Sequence, residues 1–202
     1  MSEASRKKIL NRLDNDTREE PESSSSGFHF LKTYNQPLVK TFEEKLTAVN
    51  GVFVYSKNLD DFKNSFNSYI KNRKWKNVYC IEESIISILP FDFVQLLTPE
   101  TEVAVTGCEY LVAQTGSAIV STTQTQTRRS FAYAPIHIIV AFKNQLIGQL
   151  EEGLNLLAEK YKNKLPSQIT TITGPSRTAD IEKTLVLGAH GPRELIIFYI
   201  DQ

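Results

Sequence analysis

Apolar residues recur along this chain in two alternating rhythms, one helical and one strand-like. Over residues 37–49, Phe42, Leu46 and Val49 fall at helical spacing, and Asn50-Gly51 is a natural stop. Val52-Phe53-Val54-Tyr55 then reads as a strand. Over 59–72, Phe62, Phe66, Tyr69 and Ile70 form one stripe, which predicts a second helix. The pattern continues with a strand over 77–81, a short helix over 83–89 and a strand over 102–106.

The middle of the chain is richer in strands. The stretches 116–120 and 136–142 are short, continuous apolar runs of the kind that buried strands show. Between them TTQTQTRRSFAYAP reads as a loop over a sheet edge. Residues 144–162 carry the clearest helical signature, with Leu146, Ile147, Leu150, Leu154 and Leu157 as the expected buried stripe. Strands are predicted over 169–172, 184–187 and 195–200, with a short helix between the first two. Strands alternating with helices imply an α/β fold, a mainly parallel sheet flanked by helices on both faces. Ligands of such folds gather where loops leave the carboxyl ends of strands. That rule directs attention to the loops after Thr106, Ile172 and Leu187.

This α/β domain is expected to span 28–202. Ahead of it, Ile9, Leu10 and Leu13 fall near one face of a possible short amphipathic helix over 1–13. The following DNDTREEPESSSSG has almost no apolar residues, so it reads as a flexible linker. A floppy tail and a helix tethered for docking on a partner are both consistent with this segment.

Composition narrows the class. A chain of 202 residues can bury a core without staples. Its 23 basic residues equal its 23 acidic ones, which gives no sign of a nucleic-acid partner. No apolar run is long enough to span a bilayer, and MSEASRKKIL lacks the apolar segment of a secretory signal. A cytoplasmic protein is expected, with Cys80 and Cys108 reduced. Two cysteines cannot form a four-thiolate iron–sulfur or zinc site, and His29, His137 and His190 share no metal-ligand spacing, so no metal is expected. The common dinucleotide, phosphate-loop and nucleophile-elbow motifs are missing.

Three stretches can carry chemistry. In Thr173-Gly174-Pro175-Ser176-Arg177-Thr178-Ala179-Asp180-Ile181-Glu182, a strand ends, a tight turn follows and a helix is expected to start. One account is structural: Ser176 or Thr178 caps the helix, and Asp180 and Glu182 sit favourably in its first turn. The other uses the same N–H groups, the hydroxyls and Arg177 to hold a phosphate or carboxylate, with Asp180 and Glu182 turned away or on ligand hydroxyls. The second stretch, Gly188-Ala189-His190-Gly191-Pro192, offers His190 either as a proton shuttle or as a turn histidine bonded to the backbone. The third joins Thr106-Gly107-Cys108-Glu109 to Gln114-Thr115-Gly116, whose small residues let a ligand approach the backbone. Glu109 is a candidate base or nucleophile, and Arg129 can steer an acidic group. His137, inside an apolar strand, reads as a satisfied core histidine.

These residues also carry a resemblance. Thr173 to Glu182, followed by Leu187-Gly-Ala-His-Gly-Pro192, resembles the closing signature of the LUD-domain (LutC-like lactate-utilization) family. Val105-Thr106-Gly107, Thr115-Gly116 and Pro135-Ile-His-Ile-Ile-Val140 support it, and Ser5-Arg-Lys-Lys-Ile-Leu10 resembles the short N-terminal helix of such members. The resemblance implies a fold similar to ribose-5-phosphate isomerases and CoA transferases. It implies a part in oxidising L-lactate to pyruvate, alongside an iron–sulfur protein and a cysteine-rich partner that carry the electron centres. No cofactor of the chain's own is then expected, although an organic cofactor in the cleft stays open. Relatives often carry an acidic residue where this chain has Gln114, and an Asp where it has Glu109.

The expected site is one cleft formed by the loops 106–116, 174–182 and 188–192. Ser176, Arg177 and Thr178 would hold an anionic group, Arg177 first because its planar fork matches a carboxylate. Asp180 and His190 would orient it or move protons. Thr106, Gly107, Thr115, Gly116, Gly174, Pro175 and Gly191 would shape the walls. Two alternatives stand beside this: a free-standing enzyme of isomerase or CoA-transfer type with Glu109 as nucleophile, and a non-catalytic scaffold.

Overall fold

The structure, a computed structural model, describes residues 36–90, 97–125, 129, 132–162, 164–179, 185–188 and 190–202, all within the unit Tyr34–Gln202. The expected N-terminal helix, the linker over 14–27 and the domain start at Phe28 lie outside the described residues.

Helix α1, Leu38–Ala48, follows Pro37 and buries Phe42 and Leu46. Proline suits a helix start because its missing N–H would have no partner there. The helix stops where the N–H groups of Val49 and Gly51 both donate to the Leu46 carbonyl, at 3.1 and 2.9 Å, around a left-handed Asn50. Strand β1 is Val52–Ser56 and helix α2 is Leu59–Arg73. The Asn58 side chain caps α2 by accepting the Asp61 N–H at 2.9 Å. Acidic Asp60 and Asp61 occupy its first turn and basic Lys71 and Arg73 its last, as the helix dipole favours. There follow β2 (Val78–Tyr79), α3 (Glu83–Ile86), β3 (Val103–Thr106), β4 (Tyr110–Val112), β5 (Ser117–Ser121), α4 (Thr122–Thr125) and β6 (Ile136–Phe142). After a 3-10 turn at Lys143–Gln145 come β7 (Leu146–Ile147), α5 (Leu150–Lys160), β8 (Ile169–Ile172), β9 (Arg177–Ala179), β10 (Leu185–Leu187) and β11 (Glu194–Ile200).

Five strands form a wholly parallel sheet in the order β1-β11-β6-β3-β2. This is the expected mainly parallel sheet. On one face Ile138, Val140, Ile196 and Phe198 meet Phe62, Phe66 and Ile70 of α2. The Phe62 and Phe66 rings lie 5.8 and 5.0 Å from that of Phe198. The other face, with Ile139, Leu195 and Ile197, is covered by Phe42 and Leu46 of α1 and by Leu111 and Val120 of a second sheet. That sheet has the order β7-β4-β5-β8, and Leu157 of α5 packs on its outer side. Among the described residues no helix is long and apolar enough to cross a membrane.

Two expected elements differ. The helix over 144–162 begins only at Leu150, because Leu146 and Ile147 pair with Leu111 and Val112 along the open edge of β4. Leu154, expected in the buried stripe, is 49% exposed. The helix between 169–172 and 184–187 is also corrected. Arg177–Ala179 is a strand, antiparallel to Leu185–Leu187, so the helix expected to start after Ser176 does not start there, and residues 180–184 lie outside the described residues. Strand β4 was not anticipated at all.

The second sheet is held close to α1 by a turn that requires glycine. Gly116 has φ +66°, and a Cβ there would lie 2.3 Å from the Leu46 backbone nitrogen and 2.5 Å from the Lys45 carbonyl carbon. Gly116→Ala therefore meets both backbone strain and a clash with main chain that cannot rotate away. It is expected to cost about 2–4 kcal/mol, read as a lower urea midpoint with an unchanged slope.

Candidate functional site

The parallel sheet has a cleft at each end of β6. The first is a cavity of about 290 Å3 at the amino ends of β6 and β11, with His137 and Leu195 inside it. Its walls are Thr170–Gly174 at the end of β8, Ser176, and His190–Pro192. Two backbone bonds tie the walls together: the Ser176 N–H donates to the Pro192 carbonyl at 2.7 Å, and the Gly188 N–H to the Ser176 carbonyl at 2.9 Å. Gly191 leaves room for this contact, since a Cβ there would stand 3.1 Å from the Ser176 Cβ.

His137 is fully buried and shares a 2.8 Å hydrogen bond between its Nε2 and Thr106 Oγ1. Its Nδ1 is buried with no hydrogen-bond partner among the described residues. The expected satisfied core histidine is thus only half satisfied. Burial pushes its pKa down to about 3, so the imidazole is neutral. If Thr106 donates to Nε2, Nδ1 carries a proton; if Nε2 donates, Nδ1 is a bare acceptor. A ligand hydroxyl satisfies either form, because it can both accept and donate.

The second cleft, of about 340 Å3, opens at the carboxyl ends of β3 and β6, between Gly107, Phe142 and Glu82. Glu82 is buried, and the Gly107 N–H points at both its carboxylate oxygens, at 3.1 and 3.0 Å. Burial raises its pKa to about 7; the Gly107 N–H opposes this and the charge of Glu109 adds to it. Sequence reasoning passed over Glu82. Its position directly after a short apolar strand, at the carboxyl edge the α/β rule points to, was the available signal.

The expected single cleft is thus divided. Gly174, Ser176, His190 and Gly191 come together around His137, with Thr106 behind it. Pro175 is buried beside them. Thr115 reaches this group indirectly: Ser117 Oγ donates to Thr115 Oγ1 and shares a bond with Thr173 Oγ1, both 2.7 Å. Gly107 belongs to the other cleft. Gly116 admits the α1 backbone rather than a ligand. Arg177 donates from Nη2 to the Val49 carbonyl at 2.5 Å, capping the end of α1. Arg129 is exposed and lines neither cleft. Thr178 lies in β9 opposite Val186, and Asp180 and Glu182 lie outside the described residues.

Glu109 lines neither cleft. It is 3% exposed and accepts from Ser121 Oγ at 2.5 Å, Lys160 Nζ at 2.7 Å and Tyr161 OH at 2.7 Å. Burial opposes charge on Lys160, but the bond to Glu109 outweighs it and holds the ammonium above its ordinary range. These contacts join β4, β5 and α5, a structural post for Glu109. Cys80 and Cys108 are free and buried, and burial pushes both thiols up, Cys80 to about 12. No group of three or more His, Cys, Asp or Glu among the described residues can hold a metal.

A parallel five-stranded sheet backed by helices, with clefts at its strand ends, defines an α/β protein. The chain belongs to the LUD domain family, whose profile matches residues 98–200. It is similar to "Lactate utilization protein C" of Deinococcus radiodurans, 32% identical over 100 residues, or 49% of this chain and 46% of that protein. The Bacillus subtilis protein of the same name is 28% identical over 95 residues, covering 46% of this chain and 40% of the relative. The matches thus span less than half the length of these relatives. Among solved structures, a DUF162 family protein from Deinococcus radiodurans shares the fold, with a TM-score of 0.61 at 18% identity over 81% of this chain and 96% of that one.

Glu82 makes a pH prediction. The fold raises its pKa, so its contribution to stability is intact below the unfolded-state value and is lost as pH rises through about 7. Glu82→Gln keeps an acceptor for Gly107 and removes the titration. The variant should gain on the wild type between acid pH and pH 8, by about 3 kcal/mol, seen by comparing urea unfolding of the two proteins across that range. An unchanged difference at all pH values would count against the buried, unneutralised carboxyl.

Proposed function

We propose that this chain is a component of a lactate-utilization system that binds a small 2-hydroxy acid in the His137 cleft. The observation that carries this is a coincidence of position. Every residue lining that cleft lies within 98–200, the segment matched to the LUD domain family, whose relatives include proteins named for lactate utilization. The Glu82 cleft, by contrast, draws Glu82, Ser84, Ile85 and Gln202 from outside the segment.

The chemistry agrees. Nδ1 of His137 meets the 2-hydroxyl, and the imidazole orients that hydroxyl rather than taking its proton, because burial keeps it a weak base. The ligand carboxylate faces the Ser176 and Thr173 hydroxyls and the backbone exposed by Gly174 and Gly191, with Arg177 engaged at α1. His190, on the rim, is the group placed to exchange a proton with solvent. Oxidation of a 2-hydroxy acid to a 2-oxo acid releases two electrons and two protons. In this proposal the electrons pass to iron–sulfur and cysteine-rich partner proteins, while this chain binds and orients the substrate in the cytoplasm. Glu109, held by three donors outside both clefts, gives no support to a CoA-transfer nucleophile.

Thermal unfolding with increasing L-lactate or pyruvate tests the site. A ligand that binds the folded state raises the midpoint once its concentration passes the dissociation constant. Loss of the hydrogen bond in His137→Asn should weaken the response by roughly tenfold. Arg177→Ala should lower the midpoint but keep the response. Indifference of the wild type to 2-hydroxy and 2-oxo acids alike, or an undiminished response in His137→Asn, would defeat the proposal.

A further inference from the structure

Two carboxylates are buried among the described residues, and their surroundings differ. Glu109 has a cation of its own, Lys160 at 2.7 Å, and two hydroxyl donors besides. Among the described residues Glu82 receives a single N–H, that of the Gly107 backbone. An ionised carboxylate offers about four acceptor sites, and a buried one is costly unless it is paired. No Lys, Arg or His lines the cleft that Glu82 faces, among the described residues. The missing partner of Glu82 lies on the side where the protein is open.

We propose that the carboxyl-edge cleft is a second ligand site, which takes a small organic cation with its ammonium group paired to the Glu82 carboxylate. The cavity of about 340 Å3 falls within the range of small-molecule sites. Its wall is rigid where it meets the sheet, because the Gln145 side chain donates to the Cys108 carbonyl and accepts the Phe142 N–H. Ile85, Val140 and Phe142 give an apolar surface for a short carbon chain, and Ser84 and Asn144 add a hydroxyl and a carboxamide. A metal ion is a poor fit, since no set of three His, Cys, Asp or Glu gathers there among the described residues. An anion is a poor fit, since no cationic side chain lines the cleft among the described residues. The ligand class is therefore opposite in charge to the acid proposed for the His137 cleft.

Proton release provides a signature. The titratable groups around Glu82 are Glu109, which raises its pKa, and the Cys80 and Cys108 thiols, which burial keeps protonated. Pairing with an ammonium requires the ionised form of Glu82, so affinity should rise with pH through about 7 and level off above it. The amine itself stays protonated across this window.

The test is calorimetric titration of the full chain with ethanolamine, and with ethylene glycol as the matched molecule lacking the ammonium. Saturable binding of ethanolamine alone is expected, about tenfold weaker at pH 6 than at pH 8, with release of about half a proton at pH 7, read from runs in buffers of different ionisation enthalpy. Glu82→Gln should remove both the binding and the proton release. If that variant does not fold, the pH dependence and proton release of the wild type still decide. Equal binding of ethylene glycol, no binding of ethanolamine to the wild type, binding without proton release, or full retention in Glu82→Gln would each overturn the proposal.

Discussion

Strands β6 and β11 pair in parallel register from Ile136 with Glu194 to Phe142 with Ile200, and both faces of the pair are buried. Alternate side chains point to opposite sides of a strand, so two apolar rows leave the pair in opposite directions. Ile138, Val140, Ile196 and Phe198 demand one cover, and Ile139, Ala141, Leu195 and Ile197 demand another. Helix α2 provides the first with its phenylalanine stripe. The second is shared between α1 and the smaller sheet, which is why a chain read as alternating strands and helices carries a second sheet as well. A parallel pair buried on both sides has only its strand ends left to water, and both clefts open there.

The parts of this arrangement that were legible in the sequence are those where one rhythm runs undisturbed. Phe42 and Leu46, or Phe62, Phe66 and Ile70, recur with the helical period, and both helices form within a residue or two of the expected bounds. Strands β6 and β11 are continuous apolar runs, as strands covered on both faces must be. The failures fall where tertiary pairing outweighs local periodicity. Leu146 and Ile147 continue the apolar stripe of α5, yet the open edge of β4 takes them as a strand. Arg177-Thr178-Ala179 follows a turn that resembles a helix start, but its backbone bonds run to Leu185–Leu187. Neither outcome is written in the spacing of the residues concerned, because the partner strand lies elsewhere in the chain.

The candidate chemistry was legible to a similar degree. Ser176, His190 and Gly191 meet in one cleft, but the group that gives the cleft its character is His137, which looked like core because it stands in an apolar run. Only its contact with Thr106 across the strands, and the unmet Nδ1 beyond, set it apart. Glu82 escaped notice for the opposite reason. Glutamates are common and usually exposed, so a buried one is visible only once the neighbours that exclude water are in place.

Gly116, Gly174 and Arg177, all residues that carry the family resemblance, have a shared purpose in the structure. A Cβ on Gly116 would strike the Leu46 backbone, a Cβ on Gly174 would lie 2.5 Å from the Val49 carbonyl oxygen, and Arg177 donates to that same oxygen. All three converge on the last turn of α1, where helix carbonyls lack intrahelical donors. The guanidinium meets one of those carbonyls and the glycines let two loops approach the helix backbone. Because Gly174 and Arg177 flank Ser176, the grip on α1 also fixes one wall of the His137 cleft. A motif that resembles an anion-binding turn thus acts partly at a distance, by clamping a helix that steadies one wall of the cleft. The α1 terminus supports the cleft from outside it, and none of its side chains is among the lining residues.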